Sequence, residues 1–228
     1  MKKIIQTCLY IVTIVLSLNT AAAEEKTGDG HITAKASTMG FGIEYNYPVT
    51  SVLSIGIGVN KFSANKTLTK HNVHYNADVD FKSASIITNY HPFSNGFRLR
   101  AGTYYNDNKI NLSADSSTGT LTIASTEFTN ADIAINGELS FKKFSPYIGI
   151  GYGSEPIGDN TLSLDIDIGV MQSPIKVQLT GTCEANPTKE LACHLFDPSL
   201  AKAKADLEEE AGKIKLYPIV SLGLSYRF

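Results

Sequence analysis

The sequence predicts an all-β chain folded as an eight-stranded antiparallel up-and-down transmembrane β-barrel. Three observations carry that reading. Apolar residues recur at every second position through successive segments. Short turns alternate with long polar loops. The last segment, Leu222-Gly223-Leu224-Ser225-Tyr226-Arg227-Phe228, alternates to a C-terminal aromatic. Composition bounds the class without choosing it. With 228 residues, 43% hydrophobic, 18% charged and a formal net charge of −2, the chain suits one folded domain, not a disordered polyelectrolyte or a nucleic-acid binder.

Residues 1–23 read as a cleaved signal peptide. Lys2 and Lys3 precede an apolar run from Ile4 to Leu18, and Ala21-Ala22-Ala23 offers a small-residue cleavage site. The run is shorter than the roughly 20 residues a spanning helix needs. Cys8 lies inside it and is not read as a lipid-attachment cysteine. Residues 24–228 then form a single barrel domain, expected in the outer membrane of a Gram-negative bacterium.

The predicted strands are His31–Ser37, Phe41–Tyr47, Val52–Phe62, Ala77–Tyr90, Phe97–Ile110, Gly137–Gly153, Thr161–Leu179 and Leu216–Phe228. The first pair is joined by a tight Thr38-Met39-Gly40 connection. In the third strand Leu53, Ile55, Ile57 and Val59 share one face; in the fifth, Arg98 and Arg100 oppose Phe97, Leu99 and Ala101. In the seventh, Asp165 and Asp167 oppose Leu164, Ile166 and Ile168. An even count puts both chain ends on the periplasmic side. Short turns fit Pro48–Ser51, Pro92–Gly96 and Ser154–Asn160, and long loops fit Ser63–Asn76, Asn111–Asn136 and Thr182–Lys213. Tyr45, Tyr47, Tyr90, Phe93, Phe97 and Tyr152 gather near the short turns as an interfacial belt. Within Gly137–Gly153 the apolar set moves from Leu139 and Phe141 to Ile148, Ile150 and Tyr152, a change of phase that a β-bulge near Pro146 would produce.

The interior of an eight-stranded barrel is filled by side chains or holds one small ligand. The predicted lumen charges are Glu44, Glu138, Asp165 and Asp167 against Arg98, Arg100 and Lys142. Two readings stand. The charges form a neutralised ionic plug, or Asp165, Asp167 and Glu138 form an acidic lining that attracts a small cation, with the arginines displaced toward the turns.

The loop at 182–213 has its own organisation. Cys183 and Cys193, an even count in an exported chain, are expected to pair as a disulfide. Asp197 is placed to cap a helix with Pro198 at its first position, followed by Ser199–Lys213. Leu200 and Leu207 would seat it as a lid over the barrel mouth; alternatively it is solvated, with Glu208 to Glu210 outward.

Chemistry is not signalled. There is no nucleophile elbow and no paired-histidine metal motif, and Gly149-Ile150-Gly151-Tyr152-Gly153 precedes no helix that would make it a phosphate loop. His31, His71, His74, His91 and His194 lack partner motifs. We therefore expect no enzyme, no catalytic residue, no cofactor and no metal.

Phe144-Ser145-Pro146-Tyr147-Ile148-Gly149-Ile150-Gly151-Tyr152-Gly153, then Leu164-Asp165-Ile166-Asp167-Ile168-Gly169-Val170 with Ser173-Pro174-Ile175-Lys176-Val177-Gln178-Leu179-Thr180, then Tyr217-Pro218-Ile219-Val220, resemble the CarO-type outer-membrane proteins in content and order. Gly40-Phe41-Gly42-Ile43-Glu44 and Tyr90-His91-Pro92-Phe93 add to the likeness. The resemblance implies an eight-stranded barrel associated with uptake of ornithine and other basic amino acids and with carbapenem susceptibility. This chain departs from it in ending Tyr226-Arg227-Phe228 and in carrying the Cys183 and Cys193 pair. The expected function is a narrow, loop-gated channel or binding site for small solutes, cationic amino acids among them. The alternative is a closed structural or surface-interaction barrel, adhesin-like or envelope-stabilising, without transport. The expected partners are outer-membrane lipid and a small cationic solute, with no nucleic acid, and the expected state is a monomer.

Overall fold

The computed structural model describes residues 30–70, 73–93, 95–116, 120–129, 132–153, 162–184 and 193–227. The expected signal peptide at 1–23 and the expected turn Ser154–Asn160 lie outside the described residues. Thirteen strands and one helix follow in order: β1 (His31–Ser37), β2 (Gly40–Thr50), β3 (Leu53–Lys70), β4 (Val73–Tyr90), β5 (Phe97–Asn106), β6 (Lys109–Ser116), β7 (Thr120–Ile123), β8 (Thr126–Thr129), β9 (Asp132–Phe141), β10 (Phe144–Gly153), β11 (Leu162–Gln172), β12 (Ile175–Glu184), α1 (Phe196–Lys213) and β13 (Leu216–Arg227).

Eight of these close the barrel in the order β1-β2-β3-β4-β5-β10-β11-β13, every pair antiparallel. β13 closes it, pairing with β1 from Ser37↔Ser221 to His31↔Arg227. A closed ladder satisfies every backbone group without water, as a hydrocarbon surround requires. The outward faces confirm that surround: Phe41, Ile148 and Leu222 are 72%, 65% and 62% exposed, and Ile57, Ile86, Leu164 and Ile168 join them. Polar residues point inward. Water would penalise this arrangement and lipid favours it, so the chain is a transmembrane barrel. Among the described residues no helix is long and apolar enough to cross a membrane.

At the end holding residues 30 and 227, Tyr47, Tyr90, Phe97, Tyr152 and Tyr226 ring the apolar band; at the far end Phe41, Tyr105 and Phe144 do. Between Phe97 and Tyr105 the band spans nine residues of β5, the length of a tilted membrane strand.

Beyond the far rim the wall continues on one side only. The β3–β4 hairpin runs on to Lys70↔Val73, while β6, β9 and β12 prolong β5, β10 and β11 past short breaks at 107–108, 142–143 and 173–174. The result is an open sheet, β12-β9-β6-β4-β3, standing on the barrel. Much of the expected loops Ser63–Asn76 and Asn111–Asn136 is therefore strand.

Polarity inverts in this extension. The face continuous with the lumen carries Phe62, Tyr75, Ala77, Leu112, Ile135, Leu139 and Val177, while the other carries Asp78, Asp80, Asn111, Glu138 and Gln178. The inversion corrects the expected bulge near Pro146. Leu139 and Phe141 face the same side as Ser145 and Tyr147, so no change of phase occurs. What changes is the solvent outside the wall. Between Phe141↔Ile175 and Tyr147↔Met171, residues 142–146 do stand opposite 172–174, and the surplus falls at the Lys142-Lys143 step without exchanging faces.

The upper part of the inner face is covered by the β7–β8 hairpin and α1. Val73, Leu121, Ile123, Phe128, Ile133 and Phe196 form one buried cluster, with Leu200 and Ala203 against it. The ring of Phe196 lies on Gly181, where an added Cβ would come within 2.8 Å of it. Cys183 and Cys193 are disulfide-bonded and tie β12 to the start of α1. Leu195, not Asp197, occupies the N-cap, without a side-chain cap bond; Asp197 stands in the first turn, where its charge still meets the helix dipole.

Candidate functional site

Starting from the chain-end side, the lumen first holds an ionic network. Arg98 donates from Nη1 to Asp165 Oδ1 at 2.5 Å and from Nη2 to Asp167 Oδ1 at 2.7 Å. Arg100 donates from Nη2 to Glu44 Oε1 at 2.6 Å, and its Nη1 pairs with Asp167 Oδ2. Lys35 donates to the other oxygen of Glu44. Neutral groups complete the network: Asn89 Oδ1 accepts from Arg100 Nε at 2.9 Å, Asn46 donates to Glu44 at 3.2 Å, Ser221 donates to Asp167 at 3.1 Å, and Ser225 donates to Asp165. Side-chain exposure is 2% at Arg100, 5% at Glu44 and 6% at Asp165 and Asp167. Such burial is tolerable only when each charge is paired and hydrogen-bonded, and here three cations meet three carboxylates.

Above the network lies an apolar layer of Met39, Ile87, Tyr104, Tyr147, Met171 and Ile219, with the two tyrosine rings edge to face at 5.4 Å. Tyr147 fits because Gly149 and Gly169 oppose it; a Cβ on either would collide with its hydroxyl. Aromatic rings then cross the mouth: Phe62 to Phe81 at 6.4 Å, Phe81 to Phe141 at 5.7 Å and Phe141 to Tyr217 at 5.5 Å. The Tyr217 hydroxyl donates to the Thr38 carbonyl at 2.8 Å, fastening this layer to the β1–β2 turn. Between layers, Asn60 Oδ1, Ser85 Oγ, Asn106 Oδ1, Asn108 Oδ1 and Ser173 Oγ are buried without a protein partner.

Of the predicted lumen charges, the structure brings together Glu44, Arg98, Arg100, Asp165 and Asp167. It places Glu138 and Lys142 elsewhere. Glu138 lies on the outward face of the extension, 3.4 Å from Lys109, in a polar cleft of about 400 Å³ lined also by Asp78, Asn111, Asn136 and Gln178. Lys142 is exposed at the step between β9 and β10. Both followed from reading Leu139 and Phe141 as outward, which inverted their neighbours. Lys35 is the network member that sequence reasoning missed, although the outward set Ile32, Ala34 and Ala36 places it inward.

A second space lies above the aromatic layer. Leu207 of α1 faces Leu112, Ile135, Leu139, Val177 and Leu179 of the extension across a cavity of about 280 Å³, which Leu68, Tyr75 and Ala77 also line and to which Lys66 supplies the charge. The volume suits a chain of roughly nine or ten heavy atoms. α1 thus covers the extension and not the barrel mouth, which the rings close. The histidines are dispersed: His31 begins β1, His74 is on β4 beside Thr69, His91 follows β4, and His194 adjoins the disulfide; His71 lies outside the described residues. Among the described residues no group of His, Cys, Asp and Glu could hold a metal.

No protein-family profile matches the chain, and no curated protein is similar to it. Solved outer-membrane barrels are, two of them as follows. Acinetobacter baumannii CarO is 17% identical with a TM-score of 0.58, and Acinetobacter baumannii CarO2 is 21% identical with a TM-score of 0.61; each match covers 90% of this chain and 100% of the other. At that identity the likeness concerns the fold, which is of the CarO type.

Proposed function

We propose that the chain is a closed outer-membrane barrel of a Gram-negative bacterium, its chain ends in the periplasm, that binds a small, largely apolar solute on its extracellular side and conducts none. The cavity beneath Leu207 carries this reading, because below it the path is filled by rings and then by a compensated ionic network. The helix α1 is its lid, through Leu207, and Lys66 favours a solute with an anionic end. The work is binding and not catalysis.

The test is direct because the chain has no Trp. In the Leu207→Trp variant in nanodiscs, a medium-chain carboxylate shifts the emission, the matching alcohol does so more weakly, and ornithine has no effect. An unchanged spectrum with the carboxylate, from folded protein, removes the cavity from the function.

A second reading, slow passage of a small cationic solute, is favoured by the unpartnered oxygens of Asn60, Ser85, Asn106 and Asn108, which would accept its donors. Liposome uptake separates the two. Entry of lysine or ornithine above a neutral solute and glutamate supports passage, and no entry of any solute supports the closed barrel.

A further inference from the structure

Lysines gather where the wall changes solvent. Lys142 and Lys143 form the step between β9 and β10, with Lys109 and Lys176 flanking it on neighbouring strands. These four line an outward cleft of about 480 Å³ whose acids are Asp107 and Glu138. Glu138 is engaged by Lys109, and among the described residues no carboxylate is ion-paired with Lys142, Lys143 or Lys176. The cleft therefore holds surplus positive charge.

Directly below, Phe144 meets Tyr105 edge to face at 5.2 Å, marking the top of the apolar band. Beside it an outward groove of about 640 Å³ is walled by Phe41, Ile43 and Tyr105 around the smaller Gly42, Val59 and Ala84. Lys61 and Lys82 stand directly opposite each other above this groove, a like-charge pairing that an anion relieves. Lys82 is held by Asp80 at 2.7 Å. Apolar surface below and lysines above are the two halves of an amphiphile's complement.

We propose that this face binds a phosphorylated, acylated lipid of the outer leaflet, its phosphate held by Lys142, Lys143 and Lys176 and an acyl chain lying along the groove over Ala84. The proposal rests on the membrane reading of the apolar band and on the proposed orientation with the chain ends in the periplasm, and is independent of the cavity beneath Leu207. Lysines at an anionic lipid surface each strengthen binding by about fivefold.

Native mass spectrometry of the full, folded, delipidated protein tests it, with a diphosphorylated multi-acyl glycolipid, its dephosphorylated form and phosphatidylcholine as probes. The phosphorylated lipid is expected to be retained preferentially. Lys142→Ala, Lys143→Ala and Lys176→Ala together should weaken it by about tenfold to a hundredfold, whereas Lys202→Ala with Lys204→Ala on α1 should change nothing. Heat-modifiable migration reports folding; if the triple variant does not fold, Lys143→Gln and Lys176→Gln singly should each cost about fivefold. Equal retention of the dephosphorylated lipid, unaltered affinity in the variants, or displacement by equimolar inorganic phosphate would each overturn the proposal, the last by showing a site for a free anion.

Discussion

Replacing Arg100 by Met tests whether the lumen is closed. Arg100 is 2% exposed in its side chain and joins Glu44 to Asp167, with Asn89 on its Nε. Without it Lys35 is the one cation left on Glu44 and Arg98 the one left on Asp167, and one buried carboxylate charge is left uncompensated. Removing one partner of a buried pair costs about 3–5 kcal/mol, against about 0–1 kcal/mol for a solvated pair. Arg100→Met should therefore destabilise the folded barrel by about 3–5 kcal/mol. Combining it with Asp167→Asn leaves Lys35 with Glu44 and Arg98 with Asp165, and should recover at least half of the loss. Denaturant titration of the barrel in detergent, followed by far-ultraviolet circular dichroism and by heat-modifiable migration, measures both. An Arg100→Met loss within about 0.5 kcal/mol would mean a hydrated lumen, and a double variant no better than the single would refute the pairing logic.

Phe141→Ala removes the ring that joins Phe81 to Tyr217 and should cost about 3–5 kcal/mol in the same titration; a loss below about 1 kcal/mol would show that the mouth is not sealed by packing. Gly169→Val should block folding or lower the melting temperature sharply, because its side chain meets both the Tyr147 ring and the Ile148 carbonyl; a Tyr147→Ala background should restore part of the loss, the carbonyl contact remaining, and no rescue at all would argue against the collision with the ring. Reducing the Cys183–Cys193 bond should loosen α1 by about 3 kcal/mol while leaving the barrel intact. Limited proteolysis should then cut near α1 first; barrel unfolding instead would contradict the separation of the two parts.

The barrel was legible because two solvents sort its side chains at a period of two. Ile55-Gly56-Ile57-Gly58-Val59 and Leu164-Asp165-Ile166-Asp167-Ile168 give strand and face together, and all eight barrel strands follow from such runs. The extension was not legible for the same reason. Above the bilayer the polar face turns outward, so Ser63 to Asn76 and Asn111 to Asn136 resemble solvated loops, and Leu139 and Phe141 suggest a slip in phase that did not happen. Placing Glu138 in the lumen followed from that reading. Which acid meets which base depends on stagger between strands far apart in sequence, so Asp165 and Asp167 could be placed inward but not matched to Arg98 and Arg100. The cavity beneath Leu207 needs α1 docked on β12, which no local pattern states.

Inversion of the two faces at the strand breaks also fixes how deeply the molecule sits. Sinking would carry Lys61, Lys82 and the Lys142-Lys143 step toward hydrocarbon, where a lysine costs about 2–4 kcal/mol at the midplane. Rising would strip lipid from Phe41, Tyr105 and Phe144. The wall thus works as a float with its waterline drawn in side chains, and a bilayer of different thickness must adapt to the protein before the protein slides in it.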